Sequence, residues 1–391
     1  MLDRIIKPMV TKRLSAYPAV ALLGARQCGK TTLARSLGGI YFDLEHEPEQ
    51  LRLDLQWDRI IAGGQLVVLD EAQNFPAVFP RLRGAIDQDR RRMGRFLLLG
   101  SVSPALMRNV SESLAGRLAL LELSPLTWLE LPSEEDRANL WLHGGYPDGG
   151  VLAPAQFPQW QKDYLTLLAQ RDLPVWGLPA NPWTTSRLLR MLAAVHGQAW
   201  NASRLGASLA LDYKTINSYT SYLTGAFLVR MLEPYQANLA KRLAKSPKCY
   251  WRDSGLLHAL LNVADMSSLL VQPWVGASWE GFVIEQVLST LSAIGRPHQA
   301  FYFRSSDGYE IDLVLELSGE KWAIEIKLTT APTPADFQRL NKAADLIGAD
   351  RRFLVSQAAA SAGDQRQAMC NLDWLLDLLQ HAPASRGKPL A

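Results

Sequence analysis

The stretch from Ala19 to Ser36, AVALLGARQCGKTTLARS, constrains this 391-residue chain more than any other. Ala19 to Leu23 reads as a short buried strand, and Thr32 to about Leu37 as the opening of a helix. Between them Gly24, Gly29, Lys30 and Thr31 fill the spacing G-x-x-x-x-G-K-[ST]. The glycines let the backbone curl. Consecutive N–H groups along Gly24, Ala25, Arg26, Gln27, Cys28, Gly29, Lys30, Thr31 and Thr32 then point into one concavity that cradles phosphate oxygens. Lys30 brings a point charge to the outer phosphates, and the Thr31 hydroxyl is a magnesium ligand. The helix that follows adds its positive N-terminal end. The expected ligands are ATP and magnesium.

A chain of 391 residues is too long for one ordinary domain, so two or three are expected. With 48% apolar and 20% charged residues the composition is globular. A formal charge of +3 is nearly balanced, so any nucleic-acid contact must come from a local patch. Cys28, Cys249 and Cys370 are scattered, without the spacing of a metal site or disulfide framework. That favours a reducing, cytoplasmic compartment. The opening MLDRIIKPMV is too short and too charged for a signal peptide. No apolar run approaches the roughly 20 residues that span a bilayer, so no membrane association is expected.

Residues 1–130 read as the nucleotide-binding domain. Gly39 to Asp43 is a second strand, and Gln65 to Glu71 is an unbroken apolar strand ending in two carboxylates. Such a run suits a parallel strand covered on both faces. Asp70 would hold magnesium and Glu71 would polarise the attacking water. Arg95 to Ser101 is another buried strand. Ser101 either contacts the outer phosphate or merely caps the next turn. Arg117 either supplies a basic finger to the transferring phosphoryl group, in its own or a neighbouring subunit, or is a solvated surface arginine. An oligomer is compatible with the first of these.

Gly24 to Thr31, Leu69-Asp70-Glu71-Ala72-Gln73, Leu99-Gly100-Ser101 and Leu114-Ala115-Gly116-Arg117, in this order, resemble the AAA-type predicted ATPases of bacteria and archaea. In that family the ATPase is fused to a C-terminal region labelled a domain of unknown function. The resemblance covers nearly the whole chain.

Residues 131–265 read as a connector and a winged-helix-like module. Pro132 to Pro158, rich in Gly and Pro, is the connector. Gln159 to Asp172 reads as a helix. Asn201 caps Ala202 to Leu209, Asp212 caps Tyr213 to Leu223, and Phe227 to Leu232 is strand-like. In a winged helix-turn-helix, Lys214, Thr215, Asn217 and Ser218 of the second helix would meet DNA. Lys241, Arg242, Lys245 and Lys248 form a basic cluster suited to phosphates. The competing reading is a helical lid with a solvated basic face.

Residues 271–380 read as a third, α/β domain. Gly308 to Leu328 alternates apolar and polar on both sides of Ser318-Gly319-Glu320-Lys321, which signals a hairpin. Pairing apolar with apolar sets Leu317 opposite Trp322 and Asp312 opposite Lys327, with Glu325 on the same face. Asp312 and Glu325 would ligate magnesium, Lys327 would orient the water, and Glu280 on the preceding helix, Trp279 to Leu288, offers a further ligand. This constellation resembles the PD-(D/E)xK restriction-endonuclease-like superfamily, with Glu325-Ile326-Lys327 as its E-x-K element. Ile311 stands where that pattern has proline.

The fold class expected is therefore α/β: a P-loop NTPase parallel sheet, a winged-helix-like helical module and a restriction-endonuclease-like domain. The function expected is ATP hydrolysis by a DNA-associated protein whose nuclease-like site follows the nucleotide state. The alternative is a nucleotide-switched module that binds a protein partner and whose nuclease-like domain is inactive.

Overall fold

The computed structural model describes residues 2–100, 114–236 and 246–381. Its first sheet has five parallel strands in the order β2-β3-β4-β1-β5. They are β1 (Ala19–Leu23), β2 (Ile40–Asp43), β3 (Val67–Asp70), β4 (Phe96–Gly100) and β5 (Leu118–Glu122). β1, β3 and β4 are buried along their whole length, as unbroken apolar runs in a parallel sheet should be. Because β4 lies between β1 and β3, the loops leaving those two strands open at a switch in strand order. In open α/β sheets such a switch is where ligands bind.

The helices flanking this sheet are α1 (Lys7–Ala16), α2 (Lys30–Arg35), α3 (Glu47–Ala62) and α4 (Val78–Gln88). One face packs Ala21, Leu69, Phe79 and Leu82 together. The other face shares a single core with the middle of the chain: Val20 and Leu22 join Leu168, Leu188, Leu192 and Leu223. The ATPase-like sheet is therefore half covered by residues from far along the sequence.

The segment expected to be a connector contains α5 (Glu134–His143). Ser133 caps it, accepting a bond from the Asp136 N–H, and three acids occupy its first turn. Those local signals outweigh the Gly and Pro density around them. Next come α6 (Gln159–Leu167), a π-helical segment Leu168–Asp172, and α7 (Pro182–Ala194). Then follow α8 (Ala202–Leu209) and α9 (Tyr213–Gly225), capped by Asn201 and Asp212. After α9 the chain forms an antiparallel hairpin of β6 (Val229–Pro234) and β7 (Lys248–Trp251), with an isolated bridge between Ala199 and Lys248. This hairpin does not stand apart. β6 also pairs in parallel with β8 (His298–Arg304), making the middle hairpin the edge of an eight-stranded C-terminal sheet.

In that sheet β8, β9 (Glu310–Leu317) and β10 (Glu320–Ile326) form an antiparallel meander. β11 (Arg351–Val355) lies parallel to β10. A strand pair, β12 (Ala362–Gly363) and β13 (Gln367–Cys370), completes the far edge. The helix between Val275 and Ala293 packs Val283, Val287 and Leu291 against this sheet and against Leu140 and Trp141 of α5.

The hairpin register differs from the one expected. Leu317 faces Glu320, and Trp322 faces Leu315. Ser318 and Gly319 both have positive φ, 54° and 80°, as a two-residue type I′ turn requires. The expected register assumed a four-residue turn. A shift of two residues keeps every side chain on its face, so Asp312 and Glu325 remain together; extending the ladder sets them across from one another instead of pairing Asp312 with Lys327.

Candidate functional site

A cavity of about 500 Å³ opens at the C-terminal ends of β1 and β3, lined by Arg26, Gln27, Gly29, Lys30, Thr31, Thr32 and Glu71. Gly29 has φ 100°, which makes room for the curl before α2. A Cβ on Gly24 would stand 2.3 Å from the Leu123 carbonyl oxygen. Gly24→Ala is therefore expected to push the loop off β5 and weaken nucleotide binding by about tenfold or more, from an overpacking cost of ~1–3 kcal/mol. Titration with a fluorescent nucleotide checks this.

Lys30 is buried, and its Nζ donates to the carbonyls of Gly24 at 3.1 Å and Ala25 at 2.9 Å. The Thr31 hydroxyl donates to Asp70 Oδ2 at 2.6 Å, and Tyr41 donates to the same oxygen at 2.7 Å. A hydroxyl and a carboxylate in contact at the mouth of a phosphate-shaped loop are the donor set magnesium takes beside nucleotide phosphates. Burial first, and then the bond to Asp70, push the Tyr41 pKa up, so it stays a donor. Glu71 adopts φ 48°, an uncommon backbone state for glutamate, and its N–H donates to Asp70 Oδ1 at 3.0 Å. Its side chain accepts from Gln73. Burial raises the Glu71 pKa, against the lowering effect of Lys30.

Cys28 is buried, with Sγ 3.4 Å from the Leu123 carbonyl. Arg117 does not line this cavity; it forms a two-toothed pair with Asp87 at 2.8 and 2.9 Å. Ser101, which follows β4, lies outside the described residues. Arg4 is a residue the sequence reading missed. Its guanidinium donates to the carbonyls of Cys28 at 2.9 Å and Ser124 at 2.6 Å and pairs with Glu130 at 2.9 Å, bracing the loop from below. Nothing in its local sequence, Asp3-Arg4-Ile5-Ile6-Lys7, sets it apart from an ordinary surface arginine.

A second group of titratable side chains lies on the C-terminal sheet. The Ile326 N–H donates to Asp312 Oδ2 at 2.8 Å, and Glu325 Oε1 pairs with Lys327 at 2.8 Å. Glu325 Oε2 is buried and has no hydrogen-bond partner among the described residues. Desolvation is the main cause of raised pKa values at Asp312 and Glu325; Glu280 adds to both, and the Glu325 charge to Asp312. Glu280, though, accepts from Lys248 at 3.0 Å and from Tyr250. Lys248 Nζ is also 2.8 Å from Glu310. Lys248 thus belongs to no phosphate-facing basic cluster: it is buried on β7, and its charge is spent on two carboxylates. Lys241, Arg242 and Lys245 lie outside the described residues. Among the described residues no three Asp, Glu, His or Cys side chains form a ready metal cage. Asp312 and the Glu325 oxygen fit one face of such a site, and Glu280, whose charge acts on both carboxylates, lies near them while held by Lys248 and Tyr250.

Side-chain contacts join the loops beside the nucleotide cavity to the elements around the C-terminal sheet. Asp253, just after β7, accepts from the Gly145 N–H at 2.8 Å, and Pro147 and Asp148 of that same loop line the nucleotide cavity. Arg252 donates to Glu285 on the helix Val275–Ala293 at 2.7 Å and pairs with Glu122 at the end of β5. Two buried histidines sit beside this junction. His196 Nδ1 accepts from the Trp251 N–H at 3.0 Å while Nε2 faces the Ala277 carbonyl at 3.1 Å. His258 lies between the Leu142 carbonyl at 2.9 Å and the Ser278 hydroxyl at 2.7 Å. Burial pushes their pKa values down to about 3 and about 4. Both rings are expected to stay neutral in the folded chain at pH 5, with no NMR shift near pH 6.5. The unfolded chain does take up these protons near pH 6.5. Each histidine's contribution to stability is thus intact above pH 6.5 and falls by ~1.4 kcal/mol per pH unit below it. Titration of either ring near pH 6.5 in the folded protein would contradict this.

Two mycobacterial proteins align with nearly the entire chain. Uncharacterized protein Mb2031c of Mycobacterium bovis and Uncharacterized protein Rv2008c of Mycobacterium tuberculosis are each 38% identical over 383 residues, covering 94% of this chain and 85% of theirs. The chain belongs to their family. A family model described as an AAA domain matches residues 16–131, so the N-terminal part is an AAA-type, P-loop ATPase-like domain. Two models described as domains of unknown function, DUF8612 and DUF4143, match residues 134–267 and 275–375. Among solved structures, the Walker-type ATPase paby2304 of Pyrococcus abyssi is similar at TM-score 0.48 and 15% identity, over 67% of this chain and 96% of that one. RuvB of Thermotoga maritima is similar at TM-score 0.30 and 18% identity, over 59% of this chain and 90% of that one. No helix among the described residues is long and apolar enough to cross a membrane.

Proposed function

We propose that this protein is a magnesium-dependent ATPase that acts on DNA, with a nuclease-like C-terminal domain governed by nucleotide state. The observation that carries the ATPase reading is the meeting of Lys30, Thr31, Asp70 and Glu71 at one cavity mouth. Thr31 and Asp70 would hold magnesium, which neutralises phosphate charge when bound. Lys30 exchanges its own loop carbonyls for the outer phosphates, and the loop N–H groups take the remaining oxygens. Glu71 orients the attacking water and accepts its proton.

DNA association is supported by the order of elements from α7 to β7: three helices, then a hairpin, as in a winged helix. On α9 Lys214, Asn217 and Ser218 are exposed, while Ile216 and Tyr219 pack inward. In the C-terminal domain a helix, a three-strand meander, a further helix and a parallel strand follow one another, with Asp312 and Glu325 on neighbouring strands. Those two carboxylates would hold a divalent ion and Lys327 would face the scissile phosphate.

ATP hydrolysis by the purified protein, with and without single-stranded, duplex or branched DNA, tests the reading. Stimulation by one form supports it and names the substrate. Cleavage of that DNA in magnesium or manganese, lost in Asp312→Ala, supports the nuclease site; cleavage that survives in Asp312→Ala rejects it. A second reading is a nucleotide-switched protein-binding module. The engagement of Glu280 by Lys248 favours it, because one of the expected ligands is already neutralised. ATP hydrolysis indifferent to DNA, with no cleavage, would select it.

A further inference from the structure

The phosphate-cradling loop carries a second cation besides Lys30. Arg26 lines the nucleotide cavity, yet its guanidinium reaches to Asp172 Oδ1 at 2.7 Å. The two side chains are 31% and 9% exposed, so the carboxylate is the buried member of the pair. Asp172 closes the π-helical segment Leu168–Asp172, an irregularity that interrupts the helical run after α6. Such π-turns recur at functional positions because they set one side chain out of the ordinary helical register. The Arg26 carbonyl also accepts from the Tyr164 hydroxyl at 3.3 Å, so the loop is tied twice to the same helical run.

The position of the Arg26 charge is marked from two sides. It lowers the pKa of Asp172 and also that of Glu71, each of which burial raises. Arg26 therefore stands between the helical module and the carboxylate at the mouth of the phosphate cavity.

We propose that Arg26 distinguishes the triphosphate from the diphosphate by exchanging Asp172 for the outermost phosphate of the bound nucleotide. This rests on the ATPase reading above. A guanidinium binds a phosphate through two parallel hydrogen bonds, and a terminal phosphate carries more charge than one carboxylate oxygen. A diphosphate offers no anion at that depth, so the Asp172 pair survives. Once Arg26 leaves, a nine-tenths buried carboxylate loses its direct partner, a costly state. Leu168 and Leu173 flank that carboxylate and share a core with Leu188 and Leu192 of α7. Relief of the strain therefore moves the helical module against the ATPase sheet. Asp172 is the positioning residue; Arg26 touches the nucleotide.

The test uses the full chain with magnesium, titrated with fluorescent ADP and with a non-hydrolysable ATP analogue. Arg26→Ala is expected to weaken the analogue roughly ten- to hundredfold, the worth of a charged hydrogen bond, and to leave ADP nearly unchanged. Asp172→Asn removes the competitor and should tighten the analogue several-fold without affecting ADP. Arg26→Lys, which keeps charge but loses the fork, should fall between wild type and Arg26→Ala. In wild type, backbone amides of 168–175 should exchange hydrogen faster with the analogue than with ADP. If the ratio of analogue to ADP affinity is the same in all four proteins, the inference is overturned while the ATPase reading stands. If wild type binds neither nucleotide, both fall.

Discussion

Glu71→Gln is expected to slow ATP turnover by about a hundred- to ten-thousandfold, the range for loss of a positioned general base. Nucleotide affinity should change little, because the Glu71 side chain makes no bond to the phosphate-cradling loop. Its backbone already sits at φ 48°, fixed by the N–H bond to Asp70, and glutamine has the same size and reach. The loss therefore reports the carboxylate alone. Lys30→Ala should behave differently and lose binding as well as turnover, because Lys30 supplies charge to the ground state. Steady-state hydrolysis together with fluorescent-nucleotide titration separates the two. A Glu71→Gln protein that turns over at the wild-type rate would show that another group activates the water.

Arg252→Met is expected to cost the folded protein about 3–5 kcal/mol, the penalty for breaking a buried ion pair from one side. Arg252 is 8% exposed and Glu285 9% exposed at its side chain. Glu285 keeps Arg230 at 2.8 Å, but Glu122 at the end of β5 loses its described partner. Arg230 and Arg252 together hold the Glu285 pKa below the ordinary value despite burial. This stabilisation is present above the unfolded glutamate pKa and is lost as pH falls through the lower folded value. Glu122→Gln should cost far less, under ~1 kcal/mol, because Glu122 is 35% exposed and water screens it. Urea unfolding followed by tryptophan fluorescence measures both. Equal costs for the two variants would show that the pair with Glu122, not the buried pair with Glu285, carries the stabilisation.

The parts of the fold most legible in the sequence were those whose signals are local. Val67 to Asp70 and Phe96 to Gly100 read as buried strands because parallel strands covered on both faces are uniformly apolar. Asn201 and Asp212 marked the starts of α8 and α9 because each side chain satisfies orphan helix N–H groups. The approach of Asp312 to Glu325 followed from period-two alternation, which survives a two-residue slip. The slip itself was not legible, because apolar pairs form in either register and only the backbone at Ser318 and Gly319 decides between them. Contacts over long sequence separations were the least legible. Nothing near Lys248 announces Glu280 and Glu310, and nothing near Arg26 announces Asp172, 146 positions away. Arg4 was hidden for the same reason.

The pairing of β6 with β8, Glu233 beside Phe301 and Pro234 beside Tyr302, has a consequence for how the polypeptide is made. During synthesis the helices up to α9 and the strand Val229–Pro234 emerge before any of β8 exists. β6 can then serve as a template on which the later meander docks its first strand. A fragment beginning at residue 271 would lack that template and leave β8 as a bare edge, a surface prone to pairing with other chains. The last third of this protein is therefore expected to be an obligate appendix of the first two-thirds, soluble only when the chain that precedes it has already folded.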